Sequence, residues 1–176
     1  FEEGLDAIHG TDYDKALKKL MPLALQGHPS AQYNVGVMHE WGNGVPQDNV
    51  KALKWYRLSA KQSNKDAQNN LGAMLSKGEG VEQDFVKAEA GYLANAKAGH
   101  VDSMFFLGTM HFAQVSQAGL DSDRQAYAWL KVAAQNGHAT AAAMVTRLAI
   151  KLGDNLSQGD ALYQDYATRY TSAAAN

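Results

Sequence analysis

Six histidines, two glycine-rich turns and one Asn-Leu-Ser triplet are the residues of this 176-residue chain whose types could carry chemistry. Histidine can ligate metals and move protons near neutral pH. His28, His100 and His138, however, each follow a glycine (Gly27, Gly99 and Gly137), so their recurrence traces to a repeated helix end. His39 and His111 share one repeat position two units apart, and no His or carboxylate pair has the spacing of metal ligands. Gly42-Asn43-Gly44 and Gly78-Glu79-Gly80 could cradle a phosphate, yet each follows a helix rather than a strand. Both also lack the Lys-Ser/Thr of a P-loop. Asn155-Leu156-Ser157 fits the N-glycosylation pattern, which matters only in a eukaryotic secretory pathway. With no Gly-x-Ser-x-Gly or His-Glu-x-x-His and with dispersed carboxylates, the expectation is a protein that is not an enzyme and holds no cofactor or metal.

Composition narrows the classes further. Hydrophobic residues make up 45% and charged residues 19%, ordinary for a globular domain. A net charge of −2 gives no general attraction to nucleic acid. No apolar run approaches the roughly 20 residues of a membrane-spanning helix. The absence of cysteine excludes disulfides, thiolate metal sites and a cysteine nucleophile. The first residue is Phe1 rather than Met, which a cleaved signal peptide or a trimmed chain would each produce.

What positions these residues is a repeat. AQYNVGVMHEWGNGVPQDNVKALKWYRLSA, from Ala31, aligns without a gap on AQNNLGAMLSKGEGVEQDFVKAEAGYLANA, from Ala67, at an offset of 36 residues. Matches run from Ala31/Ala67 through Gly36/Gly72, Gly44/Gly80, Gln47/Gln83 and Asp48/Asp84 to Tyr56/Tyr92. The register decays outward, as in terminal units. Asp12, Lys15 and Ala16 continue it upstream, and Gly108, Ala126, Trp129 and Ala134 downstream, past the longer linker QVSQAGLDSD.

Each unit reads as two helices. Ala31, Val35 and Met38, like Ala67, Leu71 and Met74, show helical apolar spacing. Gly36, Gly72 and Gly108 sit mid-helix, where glycine costs about 1 kcal/mol relative to alanine; close backbone approach between helices explains their recurrence. The Gly-x-Gly-Val turn ends the first helix, and Asp12, Asp48, Asp84 and Ser122 are expected to N-cap the second. The expected fold is all-α, a right-handed α-solenoid of antiparallel helix pairs closed by a C-terminal capping helix. Its single domain, 1–176, comprises a partial unit 1–28, full units 29–64, 65–100 and 101–138, a half-unit 139–153 and a cap over about 157–173. Leu162, Tyr163, Tyr166 and Tyr170 stripe that cap.

These residues carry a family resemblance. The Ala-x-x-x-x-Gly helix, the Gly-x-Gly-Val-x-x-Asp turn and the Lys-Ala-x-x-Trp-Tyr helix resemble the signature of the Sel1-like repeat, a relative of the tetratricopeptide repeat. The resemblance implies an adaptor in a multiprotein assembly, often exported or envelope-associated in bacteria, so a periplasmic or secreted location is the expectation alongside a cytoplasmic one. The sequence departs from the cysteine-rich secreted branch, whose functions do not carry over.

In tetratricopeptide-like stacks the first helix of each pair lines a concave groove. Counted from the repeated glycine, its groove positions are Tyr33, Val37, Glu40 and Trp41, then Asn69, Ala73, Ser76 and Lys77, then Phe105, Thr109 and Phe112, and finally Arg147 and Lys151. Trp41, Phe105 and Phe112 are anchor types for a protein or peptide partner, and the Arg147/Lys151 pair could receive a carboxylate. Packing against the linker or the cap is the competing role for these aromatics. The alternative function is a small-ligand binder or enzyme with a pocket between the irregular 113–122 linker and the C-terminal helix.

Overall fold

The computed structural model describes residues 1–113 and 121–170, and these form helices joined by short turns. They divide into two compact units, Phe1–Asp84 and Phe85–Asn176.

The first unit holds α1 (Glu2–His9), α2 (Tyr13–Leu25), α3 (Pro29–Trp41), α4 (Asn49–Ala60) and α5 (Lys65–Lys77). Each helix packs on the one next to it in sequence. The α2–α3 layer buries Ala16, Leu20, Ala24, Ala31, Val35 and Met38. The next layer buries Ala52, Leu53, Tyr56, Ala67 and Met74. Alanine at the repeated positions lets helices approach, and one aromatic from the second helix fills the space that remains. That aromatic is Tyr56: a Cβ added to Gly36 would lie 2.7 Å from its Cε1. The mid-helix glycine is therefore explained by a ring laid across the helix rather than by backbone against backbone. At Gly108, in the second unit, the added Cβ would meet both the side chain of Leu130, at 2.5 Å, and its backbone nitrogen, at 3.1 Å.

Caps follow the repeat. The Asp12 and Asp48 carboxylates accept from the Lys15 and Lys51 amides at 3.1 and 2.9 Å. The first helices are capped as well, by His28 Nδ1 accepting from the Ala31 amide at 3.3 Å and Asn64 Oδ1 accepting from Ala67 at 2.9 Å. The glycine-histidine pair is thus a stop and a start: Gly27 at φ 95° ends α2 and His28 opens α3.

The second unit holds α6 (Phe85–Lys97), α7 (Val101–Phe112), α8 (Ser122–Gln135), α9 (Ala141–Leu152), a 3-10 turn (Gly153–Asn155) and α10 (Leu156–Tyr170). Ser122 is the first helical residue of α8, not its cap. Asp121 precedes it, with its carboxylate accepting from Arg124 Nη1 at 2.8 Å. The longer linker shifts the register by one residue at this helix start.

The expected cap is α10, which packs on α8. Tyr166 and Tyr170 lie 4.4 and 4.8 Å, ring to ring, from Trp129. On the next turn Asp160 accepts from Lys131 Nζ at 2.6 Å and from the Tyr127 hydroxyl at 2.8 Å. Tyr163 donates to Gln135. No helix among the described residues is long and apolar enough to cross a membrane.

Candidate functional site

The Gly-x-Gly-Val turns do more than stop helices. Gly42 and Gly78 take the left-handed conformation at φ 71° and 74°, and their amides close onto the Met38 and Met74 carbonyls. Gln47 Nε2 then donates back to the Glu40 carbonyl at 2.9 Å, and Gln83 Nε2 to the Ser76 carbonyl at 2.8 Å. The repeated glutamine thus satisfies an open carbonyl at the end of the first helix, a role its recurrence signalled without naming. The second glycine of each turn rests on the first residue of an earlier helix. A Cβ on Gly44 would lie 2.8 Å from Tyr13 Cβ, and one on Gly80 2.7 Å from the Asn49 carbonyl carbon.

Where the two turns stand side by side in the first unit they leave an open cleft of about 140 Å³, lined by Glu40, Trp41, Gln47, Asn49, Lys77 and Glu79. Trp41, the last residue of α3, is 69% exposed beside it. Lys77 closes α5, and its ammonium lies 3.7 Å from Glu79 Oε1. Asn49 Oδ1 is buried without a hydrogen-bond donor. Glu40 is half-buried, and its Oε2 accepts from the Tyr56 hydroxyl and, at 3.5 Å, from Asn70 Nδ2. Asn70 Nδ2 also donates to the Tyr56 oxygen at 3.0 Å. Burial and the Glu40 carboxylate push the Tyr56 phenol up, so it stays a neutral donor.

The remaining groove positions of this unit are committed to packing. Tyr33 lies 5.8 Å, ring to ring, from Tyr56, and Val37 packs on the same core layer. Asn69 is only 4% exposed, so it is an interior residue and not a surface one. Ala73 and Ser76 are half-buried. Of the sequence-derived positions, the structure therefore brings Glu40, Trp41 and Lys77 together. It adds Gln47, Asn49 and Glu79, which counting along the first helices missed. One trace was legible for Asn49: the equivalent residues, Tyr13 and Phe85, are aromatic.

In the second unit Phe105 stacks on His138 at 3.9 Å, and the Thr109 hydroxyl donates to the Phe106 carbonyl at 2.9 Å. Phe112 is 40% exposed at the end of α7. Lys151 donates to Asp123 at 2.8 Å, which occupies half of the proposed carboxylate-binding pair, while Arg147 is exposed. Most of the 113–122 linker lies outside the described residues, and with it the alternative pocket. His111 is buried in α7, its Nε2 3.4 Å from Glu89 Oε1, and burial pushes its pKa down to about 4. His39, at the same place in the first unit, is likewise lowered, chiefly by burial and then by the Lys51 charge. Among the described residues, no three His, Cys, Asp or Glu side chains gather as metal ligands would.

Comparison with known proteins agrees with this architecture. The protein is similar to a Sel1 repeat protein from Oxalobacter formigenes of known structure, at 28% identity and a TM-score of 0.69, over 81% of this chain and 56% of that one. It also shares its fold with a protective antigen present in uropathogenic Escherichia coli strains, described as displaying an SLR fold. That match has 23% identity and a TM-score of 0.60, over 89% of this chain and 41% of that one. The sequence thus spans roughly half the length of these solved relatives. No curated protein matches it. Sel1 repeat proteins are generally non-catalytic adaptors in protein interactions. The Sel1 repeat model matches residues 29–64, 65–90 and 101–138, more than half of the sequence, and the chain belongs to the Sel1 repeat family.

Proposed function

We propose that this protein is a non-catalytic adaptor that docks a protein segment on its first unit, where the ends of α3 and α5 meet the two glycine turns. The observation that carries this reading is Trp41, a large aromatic residue left 69% exposed beside an open polar cleft. Aromatic residues of this kind are the usual anchors of protein interfaces, because they bury much area at little entropic cost. Beside it, Gln47 is held by its bond to the Glu40 carbonyl and the Glu40 carboxylate by the Tyr56 hydroxyl, so this part of the surface is pre-formed rather than folded on binding. Family membership supports protein partners in general. An envelope or exported setting belongs to the same proposal, and cell fractionation tests it.

The experiment is affinity capture from native lysate with the unaltered protein, Trp41→Ala and Leu25→Ala. Leu25 is as exposed as Trp41 but takes no part in the cleft. The expected result is a partner that survives Leu25→Ala and loses at least about tenfold in retention with Trp41→Ala. Circular dichroism checks that all three stay helical. A partner held equally by all three would move the interface away from the cleft.

A further inference from the structure

The chemistry around Trp41 says more about the partner than that it is a protein. Three acceptors line the cleft: the carboxylates of Glu40 and Glu79, and Asn49, whose Oδ1 has no donor. Glu40 gives one oxygen to Tyr56 and Asn70; among the described residues its Oε1 has no hydrogen-bond partner. Against these stands one cation, Lys77, more than half exposed and only 3.7 Å from Glu79. The lining residues therefore carry a net charge of −1. Two helices, α3 and α5, also end at this cleft, and the carbonyl end of each helix contributes up to about half a negative charge within its last turn. An exposed indole completes the set, and the face of an indole attracts cations.

We infer that the cleft receives a lysine or arginine side chain of the partner, held between the Trp41 indole and the Glu40 and Glu79 carboxylates. This rests on the docking reading above and deepens it. Lys77 acts in the free protein as a weak internal occupant of Glu79, which an incoming cation displaces. An acidic side chain would find one competing lysine and two repelling carboxylates. A purely apolar one would leave the acceptors unanswered.

The test is a titration of the isotope-labelled 176-residue protein, at low ionic strength, with four blocked amino acids: the N-acetyl N-methylamides of lysine, arginine, norleucine and glutamate. The readout is the indole N–H resonance of Trp41, assigned by its loss in Trp41→Phe. Lysine and arginine derivatives should move that resonance saturably, and norleucine and glutamate should not. Glu79→Gln should weaken lysine binding roughly two- to fivefold, and Lys77→Ala should strengthen it by a similar factor, as expected for one partly exposed charge. Both variants alter exposed side chains at a helix end or a turn, and neither touches the core.

Equal shifts with norleucine and lysine would overturn the inference, as would preference for the glutamate derivative, loss of binding in Lys77→Ala, or no shift with any probe. The two readings fail separately. A partner released by Trp41→Ala, with no cation preference in the titration, leaves the docking site and removes the basic side chain. Cation-selective shifts without any Trp41-dependent partner leave the pocket and remove the adaptor interface.

Discussion

Ser63 occupies a place that glycine fills elsewhere. Gly27, Gly99 and Gly137 end their helices at φ between 80° and 95°, and Ser63 does the same at φ 64°. A residue with a Cβ in the left-handed region costs roughly 1–2 kcal/mol, partly offset by the freedom glycine has in the unfolded state. Ser63→Gly should therefore stabilise the protein by about 0.5–1 kcal/mol in urea unfolding, and a loss of stability would mean that the hydroxyl has an unrecognised role. His111 makes a second residue-scale prediction. Glu89, 3.4 Å away, favours the charged ring, but burial at 2% exposure outweighs it and holds the folded pKa at about 4 against 6.5 in the unfolded state. Between those values the unfolded state binds more protons. Stability from this residue is thus full above about 6.5, falls as pH drops through the window, and levels off below about 4. The whole effect is at most about 3 kcal/mol. Urea titrations above and below the window should show a shallower pH slope for His111→Gln than for the unaltered protein. An unchanged slope would place the folded ring near its ordinary value.

At the scale of elements, the turns bind one helix pair to the one before it. Gly44 and Gly42 both have positive φ, but only Gly44 presses on another element, with Tyr13 Cβ 2.8 Å from where a Cβ would stand. The nearest neighbour of a Cβ on Gly42 is Gln47, at 3.4 Å. Gly42→Ala should cost about 1–2 kcal/mol of left-handed strain alone. Gly44→Ala should cost about 2–4 kcal/mol, because overpacking against α2 is added. Denaturant midpoints of the two variants test that order, and equal losses would show that the turn does not bear on α2. Much of this level was legible in the sequence: helix pairs, the Asp12 and Asp48 caps and the α10 cap all follow from periodicity and residue chemistry. The register at Ser122 was not, since an irregular linker breaks the spacing on which the cap assignment depended. Groove positions were legible only in part. Counting from the glycine assumes one buried face per first helix, whereas α3 is packed by both α2 and α4. Tyr33 and Val37 are drawn inward for that reason, Asn69 is buried on α5, and Glu40, Trp41 and Lys77 line the cleft because they sit at helix ends. Gln47, Asn49 and Glu79 join them through the turns, which a count along first helices does not reach.

For the molecule as a whole, charge and exposure separate the proposed interface from ordinary surface. Ile150, at 78%, is more exposed than Trp41, yet it takes no part in the cleft. A single exposed apolar residue is common on monomeric surfaces and carries no information alone. Ile150→Ala should therefore leave partner retention within about twofold of the unaltered protein, as expected for an isolated surface substitution. Salt dependence adds a second axis. With 16 basic and 18 acidic residues, the protein has no large single-sign field, so few charges can be engaged at one site. A partner held by one basic side chain and an indole should weaken only a few-fold on going from low to physiological ionic strength, since screening acts on a single partly exposed contact. Binding that instead fell by about three orders of magnitude over that range would mark release of many counterions from a polyanion. That outcome would replace a protein segment with nucleic acid as the partner, and the measured slope would count the phosphates engaged.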